Sequence, residues 1–303
     1  IQELCENVRM KQRDFDQRSV EGEVNLLPIQ RWFFQHSFAN IHHWNQSERF
    51  TVSGNYTEEQ LLSTYEKIRK KHDGLRSQFI RRDNQYINII RKNQKEELEK
   101  EVSFHLISND VSEIEFEQTM DSILEDLHNQ INIREGVLSK LALVQTSEGN
   151  FEVVWVLHHL ICDNVSWLIL KNDLLYGLTL LQEEKPLLLT EKTTNIKEWA
   201  NYLNNYQLSE EITERWETYL PKDEDLTNGF VPEKSDEYFE TFVSEIDEGL
   251  TDILLSYAKE NKIEMDLLFF LLFGRSLCQL LKLPSVWIGR ELNGRTEHPD
   301  EIQ

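Results

Sequence analysis

The chain has 303 residues, with 32 Lys and Arg against 54 Asp and Glu, which gives a formal net charge of −22. This acidity argues against partners such as nucleic acid or an anionic membrane surface, because both are bound through excess positive charge. With 39% hydrophobic and 28% charged residues the composition is that of a globular protein, and the length predicts about two domains.

The cysteines and the apolar segments indicate a cellular compartment. Cys5, Cys162 and Cys278 are far apart and form no Cys-x-x-Cys pair, so neither a structural zinc site nor a disulfide framework is expected. The N-terminal segment is charged throughout and lacks the apolar core of a signal peptide. The most apolar stretch, residues 267–283, is interrupted by Arg275, which favours a buried helix over a membrane span. A reducing, cytoplasmic location is expected.

The first half of the chain predicts alternating helices and strands after a polar connector over residues 1–24. Thr57 and Gln60 form a capping box, which predicts a helix that runs to Lys71 and is ended by Gly74. The other predicted elements are helices at residues 26–34, 113–129 and 165–181, and strands at residues 47–52, 85–91, 102–107, 138–145 and 151–158.

The second half begins after a proline-containing polar stretch at residues 185–194, which we predict to separate two lobes. The pattern predicts a helical region at 196–220, an acidic connector at 221–236, a strand at 238–246, two further helices and a strand at 285–288. The predicted organisation is therefore a linker (1–24), an N-terminal lobe (25–184) and a C-terminal lobe (185–303), in an α/β or α+β class.

The segment with the clearest chemical content is HHLICDNVSW, residues 158–167. It follows an apolar strand and precedes a helix, and strand ends in α/β proteins present side chains to a cleft. A neutral histidine in such a place can act as a general base. A histidine at a strand end is also a common hydrogen-bonded scaffold residue, so from the residues alone the two roles stay equally open.

Other segments carry a family resemblance when taken with residues 158–167, and they appear in chain order: PIQRWFF (28–34), HWNQS (43–47), KHDGLRSQF (71–79) and ELNGR (291–295). Residues 158–167 resemble the HHxxxDGxS motif of the condensation-type domains of nonribosomal peptide synthetases. The segments at 28–34, 43–47 and 291–295 are similar to motifs of the epimerization subgroup. The resemblance extends from about residue 15 to the C-terminal residues.

This resemblance implies a two-lobed fold of the chloramphenicol acetyltransferase-like type with a central tunnel. The implied activity is epimerization, L to D, of the α-carbon of an aminoacyl or peptidyl thioester. The substrate would be tethered to the 4′-phosphopantetheine arm of an upstream peptidyl carrier domain, and residues 1–24 would be the linker from that module. The resemblance implies no metal and no cofactor of the domain's own, and other modules of a synthetase for peptide antibiotics as partners.

The resemblance also implies residue roles. His159 and Glu291 correspond to the acid/base pair, one from each lobe. His158 is expected to be structural, and Asp163 to be an orienting residue in an ion pair with either Arg76 or Arg295. Amides of the loop after His159, together with Ser166 and Trp167, are the expected donors to the enolate oxygen.

Further expectations concern the tunnel and the aromatic run near the N-terminus. Asn45, Asn164 and Asn293 are predicted to line the tunnel, although a hydrogen bond at the start of a strand is an equal alternative for Asn45 and Gln46. The Trp32, Phe33 and Phe34 run is predicted to pack in the core, with Arg31 solvated.

The chain departs from the family pattern at several positions. Asn164 replaces a Gly, and Asn tolerates positive φ better than other non-glycine residues. Asn293 replaces a His, and Leu168 a frequent Arg. The sequence ends at Gln303, before an expected Gly-Trp-Phe-Thr region, so the second lobe is expected to be incomplete as given.

Two alternatives to an epimerase stay open: a peptide-bond-forming condensation domain of the same fold, and a catalytically silent docking domain. Residues 28–34, residues 165–167 and Glu291 favour the isomerase, since a condensing enzyme does not need that glutamate. Asn164 and the end of the sequence favour the silent domain. The sequence does not indicate which amino acid or peptide is processed, or an oligomeric state.

Overall fold

The computed structural model describes residues 15–36, 38–108, 110–147, 150–220 and 243–289. The chain divides into two compact units, and the division falls between Gln207 and Leu208. Residues 186–207 therefore belong to the first unit, whereas the sequence placed the boundary between the two lobes at residue 185.

The described part of the first unit alternates short strands and helices. In chain order they are β1 (Gly22–Val24), α1 (Pro28–Gln35), β2 (Asn45–Ser53), α2 (Glu58–Lys71), β3 (Ser77–Arg82), β4 (Gln85–Ile90), α3 (Lys95–Glu101), β5 (Val102–Leu106), α4 (Glu113–Asn129), β6 (Ser139–Ser147), β7 (Asn150–His158), α5 (Asn164–Gln182) and α6 (Ile196–Asn205).

The strands form two sheets. A four-stranded sheet has the order β2-β7-β6-β5, in which β5 is parallel to β6 and the other pairs are antiparallel. A three-stranded antiparallel sheet has the order β1-β4-β3. The last residue of β7, His158, lies opposite the first residue of β2, Asn45. The histidine motif therefore begins where β7 ends, beside the start of β2.

The core lies on both faces of the four-stranded sheet. On one face Trp155 and Leu157 of β7 pack with residues of α2 and α5 such as Leu61 and Leu174. On the other face Val154 packs with residues of α4. Helices cover both faces, which explains why β7 is apolar at consecutive positions instead of alternating.

Local capping signals gave accurate helix predictions. Thr57 Oγ1 accepts from the Gln60 amide at 3.2 Å, and Gln60 Oε1 accepts from the Thr57 amide at 2.9 Å, so the predicted capping box is confirmed. Helix α2 ends at Lys71 as predicted, but Gly74 does not end it. Gly74 lies in a separate 3₁₀ turn, Asp73–Arg76, that leads into β3.

This 3₁₀ turn holds a buried cluster of charges. The Asp73 carboxylate accepts from the Val20 amide at 3.1 Å, from Lys192 Nζ at 3.0 Å and from the Arg76 guanidinium. Arg76 is fully buried, and its Nη1 also donates to the Val20 carbonyl at 3.0 Å. One carboxylate thus joins three distant parts of the chain.

The same contacts correct the predicted linker. Residues 1–14 lie outside the described residues, but Gly22–Val24 forms strand β1 and pairs with β4. Val24 is buried against Ala200 of α6 and Ile90 of β4. Residues 15–24 therefore pack as part of the first unit and are not a free connector.

Strand β3 and the turn after it were not predicted from the sequence. Its Gln, Arg and Arg residues hide the apolar alternation that identifies a strand. The turn between β3 and β4 has positive φ at Asp83 (49°) and Asn84 (64°), which is the type I′ hairpin conformation that these two residue types favour. The Asp-Asn pair was the signal that could have located the hairpin.

The described part of the second unit is helical: α7 (Glu210–Tyr219), α8 (Glu248–Asn261) and α9 (Met265–Leu281). The acidic connector at 221–236 and residues 238–242 of a predicted strand lie outside the described residues. Residues 243–246 and 285–288 have no regular structure, so the strand predicted at 285–288 is wrong. Among the described residues no strand lies beside it to complete a ladder. No helix in these described ranges is both long and apolar enough to cross a bilayer.

The buried cluster around Asp73 predicts a large loss of stability when its carboxylate is removed. We expect Asp73→Ala to lower the free energy of unfolding by about 3–5 kcal/mol, because Arg76 and Lys192 would keep buried charges without their counterion. Urea unfolding followed by circular dichroism measures the change. Glu23→Gln, which breaks the exposed pair with Arg82, should change it by at most about 1 kcal/mol. Equal effects of the two variants would contradict the assignment.

Candidate active site

The histidine motif lies in the loop between β7 and α5, as the sequence predicts. His158 ends the strand, and Asn164 is the first residue of the helix. The amide of His159 donates to the Trp44 carbonyl at 2.8 Å, so the loop continues the pairing of β7 with the segment just before β2. This backbone contact places the His159 ring beside the first residues of β2.

His158 is a buried residue that is tied to the backbone through both ring nitrogens. Its Nε2 donates to the Ile41 carbonyl at 3.0 Å, and its Nδ1 accepts from the Leu160 amide at 3.1 Å. Burial lowers the pKa of His158 to about 4, so the ring is neutral near pH 7. Both nitrogens are therefore engaged in holding the loop, which is the geometry of a scaffold residue.

His159 has a defined tautomer. Its Nδ1 lies 2.8 Å from the carbonyl oxygen of Cys162, and a carbonyl can only accept, so Nδ1 carries the proton. The lone pair is then on Nε2, which lies 3.4 Å from the side-chain amide nitrogen of Gln46. The ring is half-buried, and a neutral Nε2 with a lone pair is the form of histidine that can accept a proton.

Gln46 is one of two residues, with Asn45, whose placement the sequence left open. Its Oε1 accepts from the indole nitrogen of Trp167 at 3.0 Å and lies 3.6 Å from Cys162 Sγ. Burial raises the pKa of the Cys162 thiol, so this sulfur is a neutral neighbour. The structure thus connects the start of β2, the histidine loop and the first turn of α5 through one amide side chain.

Asp163 caps helix α5. Its Oδ1 accepts from both the amide and the hydroxyl of Ser166, at 2.7 and 2.6 Å. The predicted ion pair with Arg76 is wrong, because Arg76 is bound to Asp73, and no ion pair joins Arg76 to Asp163 among the described residues. The other predicted partner, Arg295, lies outside the described residues.

The predicted donors to an enolate oxygen already have partners in this structure. Ser166 donates through both its groups to Asp163, and the Trp167 indole donates to Gln46. The amides of Leu160 and Ile161 both donate to His158, to its ring and its carbonyl. Local capping and turn contacts thus use the Ser166 and Trp167 donors and these two amides in the substrate-free structure, and the role of the loop in stabilising an enolate stays a prediction.

Asn164, which stands where the family pattern has Gly, is exposed at the first position of α5. It is not among the residues with positive φ, so the substitution requires no left-handed backbone. Leu168, in place of a frequent Arg, is 61% exposed. The change from Gly therefore leaves the local helix geometry intact.

The remaining predicted site residues fall in different places. Asn45 is half-buried, and its Nδ2 lies 3.4 Å from the His128 carbonyl, which is the strand-start alternative. Glu291, Asn293 and Arg295 lie outside the described residues. Of the aromatic run, Phe33 is buried but Trp32 is 41% exposed, so the core-packing prediction is wrong for Trp32, which lies on the outer face of α1.

The described residues contain no group of three His, Cys, Asp or Glu side chains that could hold a metal ion.

The chain belongs to the condensation domain family, because the model of that family matches residues 20–303. It is 30% identical over 310 residues to surfactin synthase subunit 2 of Bacillus subtilis (strain 168), which covers 98% of this chain and 8% of that protein. It is 34% identical over 217 residues to gramicidin S synthase 1 of Brevibacillus brevis, which covers 72% of this chain and 19% of that protein. The chain thus spans less than a fifth of either relative.

Solved structures confirm the predicted fold. The epimerization domain from the third module of tyrocidine synthetase B matches with a TM-score of 0.59 and 27% identity, over 68% of this chain and 47% of that one. The condensation domain that mediates chain release from the enacyloxin polyketide synthase matches with a TM-score of 0.51, over 67% of this chain and 40% of that one. At 16% identity this second match shows the fold alone. The mixed α/β, chloramphenicol acetyltransferase-like architecture is therefore correct.

The lowered pKa of His158 predicts a specific dependence of stability on pH. The folded value, about 4, lies below the usual 6.5, so the unfolded chain takes up the proton first as the pH falls. The stabilisation is complete above about pH 6.5 and is lost towards pH 4, and about 2 kcal/mol should disappear between pH 7 and pH 5.

Urea unfolding of the wild type and of His158→Asn at both pH values measures this contribution. The variant should be less stable at pH 7 but should lose less stability on acidification. His36→Asn, at an exposed histidine, should keep the wild-type dependence. A His158→Asn variant with the full wild-type loss would show that His158 does not titrate in this way.

Proposed function

We propose that this chain is an epimerization domain of a nonribosomal peptide synthetase. It would invert the α-carbon of an aminoacyl or peptidyl thioester that a peptidyl carrier domain presents on its phosphopantetheine arm. The observation that carries the choice of an epimerization domain is the match to a solved epimerization domain, at 27% identity and a TM-score of 0.59, together with the order of the motifs. The site fits this reaction because His159 Nδ1 faces the Cys162 carbonyl, which places the lone pair of the neutral ring on Nε2.

The reaction needs one base and one acid on opposite faces of a planar intermediate. His159 Nε2 removes the α-proton and becomes an imidazolium, and the electron pair of the C–H bond moves into the thioester carbonyl to form an enolate. Glu291, protonated at the start, returns a proton to the opposite face of the α-carbon and becomes a carboxylate. Glu291 has this role by its match to the family motif. Exchange with water restores both groups.

The enolate oxygen needs donors that are not already used. The first amides of an α-helix have no partner within the helix. In α5 the Asp163 side chain and carbonyl accept from the amides of Ser166 and Trp167. The amides of Asn164 and Val165 precede these two, and we assign to them the stabilisation of the enolate, assisted by the positive end of the helix dipole.

A condensation domain is the second candidate, and it has its own support. The matching family model is that of condensation domains, and a starter condensation domain from rhizomide synthetase matches the fold with a TM-score of 0.55. In that case His159 would serve the attack of an acceptor amine on the thioester. Glu291 would then have no part in the reaction, and this difference separates the two functions.

The test follows the α-hydrogen of a carrier-bound substrate in D₂O. The wild-type protein should exchange the α-hydrogen and invert the centre from either configuration. His159→Ala should slow inversion by about 10²–10⁴-fold, since it removes one general base. Glu291→Gln should exchange the α-hydrogen of only one configuration, without inverting it.

The control is His105→Gln on strand β5, whose ring lies 2.9 Å from the hydroxyl of Ser103; this variant should keep wild-type inversion. Peptide-bond formation without exchange, and only with a second, acceptor carrier, would establish the condensation domain instead. Absence of both reactions in the wild type would identify a silent docking domain. Wild-type inversion in His159→Ala would overturn the assignment of the base.

A further inference from the structure

We propose that Gln46 is the positioning residue that holds the ring of His159 in the Nδ1–H tautomer, with the lone pair on Nε2. This inference rests on the proposed function only in taking His159 as the base of the reaction. The proposal comes from the hydrogen-bond chain that runs from Trp167 through Gln46 and His159 to the Cys162 carbonyl.

The chemistry of the terminal groups fixes the donor-to-acceptor direction of this series of hydrogen bonds. An indole nitrogen can only donate, so the oxygen of the Gln46 amide faces Trp167, at 3.0 Å. The amide nitrogen of Gln46 then faces His159 Nε2, at 3.4 Å. Because an amide nitrogen can only donate, this contact requires a lone pair on Nε2.

The hydrogen bond at the other end of this series indicates the same tautomer of His159 independently. The Cys162 carbonyl can only accept from His159 Nδ1, at 2.8 Å, which also places the proton on Nδ1. Two contacts on opposite sides of the ring thus select one tautomer. The ring is held in the form that a general base needs before the substrate arrives.

Gln46 and Trp167, two of the residues in this series of hydrogen bonds, lie in a strand and in a helix. Gln46 is the second residue of β2 and lies opposite Leu157 of β7. Trp167 is buried in the first turn of α5, where its ring packs edge to face on Trp155 with the ring centroids 5.9 Å apart. The position of the Gln46 amide is therefore set by the core and not by a mobile surface contact.

Gln46 also opposes the protonated state of the base. Once His159 carries a proton on Nε2, that nitrogen and the Gln46 amide are two donors that face each other. This arrangement favours loss of the proton from the imidazolium, which the base must release before its next turnover. A glutamate of the same shape would reverse the preference, because its carboxylate would accept from the imidazolium.

The charged and titratable groups around His159 have other roles, so we assign the positioning of its ring to Gln46. On the loop, His158 is neutral and Asp163 caps α5. Further along the two packed elements, Glu48 of β2 and Lys171 of α5 pair with each other at 2.8 Å.

The first experiment measures the His159 ring in the substrate-free chain by ¹⁵N NMR with labelled histidine, with His159→Ala used to assign its signals. In the wild type the ring should be the Nδ1–H tautomer. Gln46→Glu should move the midpoint of the His159 titration upward by about 1–3 pH units, as a carboxylate at this distance does. Gln46→Met, which fills similar volume without donating, leaves the choice of tautomer to the Cys162 carbonyl contact, so the share of the Nδ1–H form should fall below that of the wild type.

Trp167→Phe provides a second route that leaves Gln46 in place. It removes the indole donor that orients the amide and keeps an aromatic ring at the position, although the buried side chain becomes smaller. The share of the Nδ1–H form should therefore fall in this variant as well. The matched control is Gln182→Glu near the end of α5, where the amide donates to the Ser53 carbonyl at 2.7 Å; the His159 titration should stay unchanged. Thermal melts identify variants that do not fold, and the folded ones decide the outcome.

A His159 midpoint that stays within a few tenths of a pH unit of the wild type in Gln46→Glu would overturn the proposal, and so would an equal shift in Gln182→Glu. The second readout is the pH profile of α-hydrogen exchange, whose acidic limb, where the base loses its proton, should move upward in Gln46→Glu together with the NMR midpoint. If the wild type shows the predicted tautomer but no exchange of the α-hydrogen, the proposed function is contradicted, whereas the proposed role of Gln46 is supported.

Discussion

The register between β2 and β7 is the constraint on which the site depends. It places Asn45 opposite His158 and Gln46 opposite Leu157, and the amide of His159 continues the pairing to the Trp44 carbonyl. Side chains alternate between the two faces of a sheet, so a slip of one residue would move Gln46 to the face that α4 covers. The site is therefore specified by the same hydrophobic pattern that specifies the core.

A second constraint comes from charge inside the first unit. Asp73 joins the segment before β1, the turn after α2 and the segment before α6 through one carboxylate. The segment at residues 71–79, read in the sequence as a family motif, is thus a structural device: Leu75 and Phe79 fill the core while Asp73 and Arg76 neutralise each other. Its acidic and basic residues have no contact with the histidine loop among the described residues.

Local signals were readable from the sequence, and distant contacts were not. The helix at residues 113–129 has the bounds that were predicted, because its N-terminal Ser112 and Glu115 form a capping box within four residues. The contact of Gln46 with His159 spans 113 residues and has no signature in spacing. Ser166 was predicted as a donor to the substrate, and in the structure its hydroxyl donates to Asp163, a helix-cap contact that the sequence analysis did not anticipate. The motif at residues 158–167 located the site, but its hydrogen-bond directions required the fold.

The geometry of the first unit serves more than one reaction. A lone pair on His159 Nε2 is required whether the base removes a proton from an α-carbon or assists the attack of an amine. What separates the two chemistries is the opposite face: inversion needs an acid there, and amide formation needs an acceptor substrate. Under the proposed function, Glu291 is assigned as that acid by its match to the family motif. In that proposal the histidine loop supplies the base, and the group that meets the other face of the α-carbon decides between inversion and amide formation.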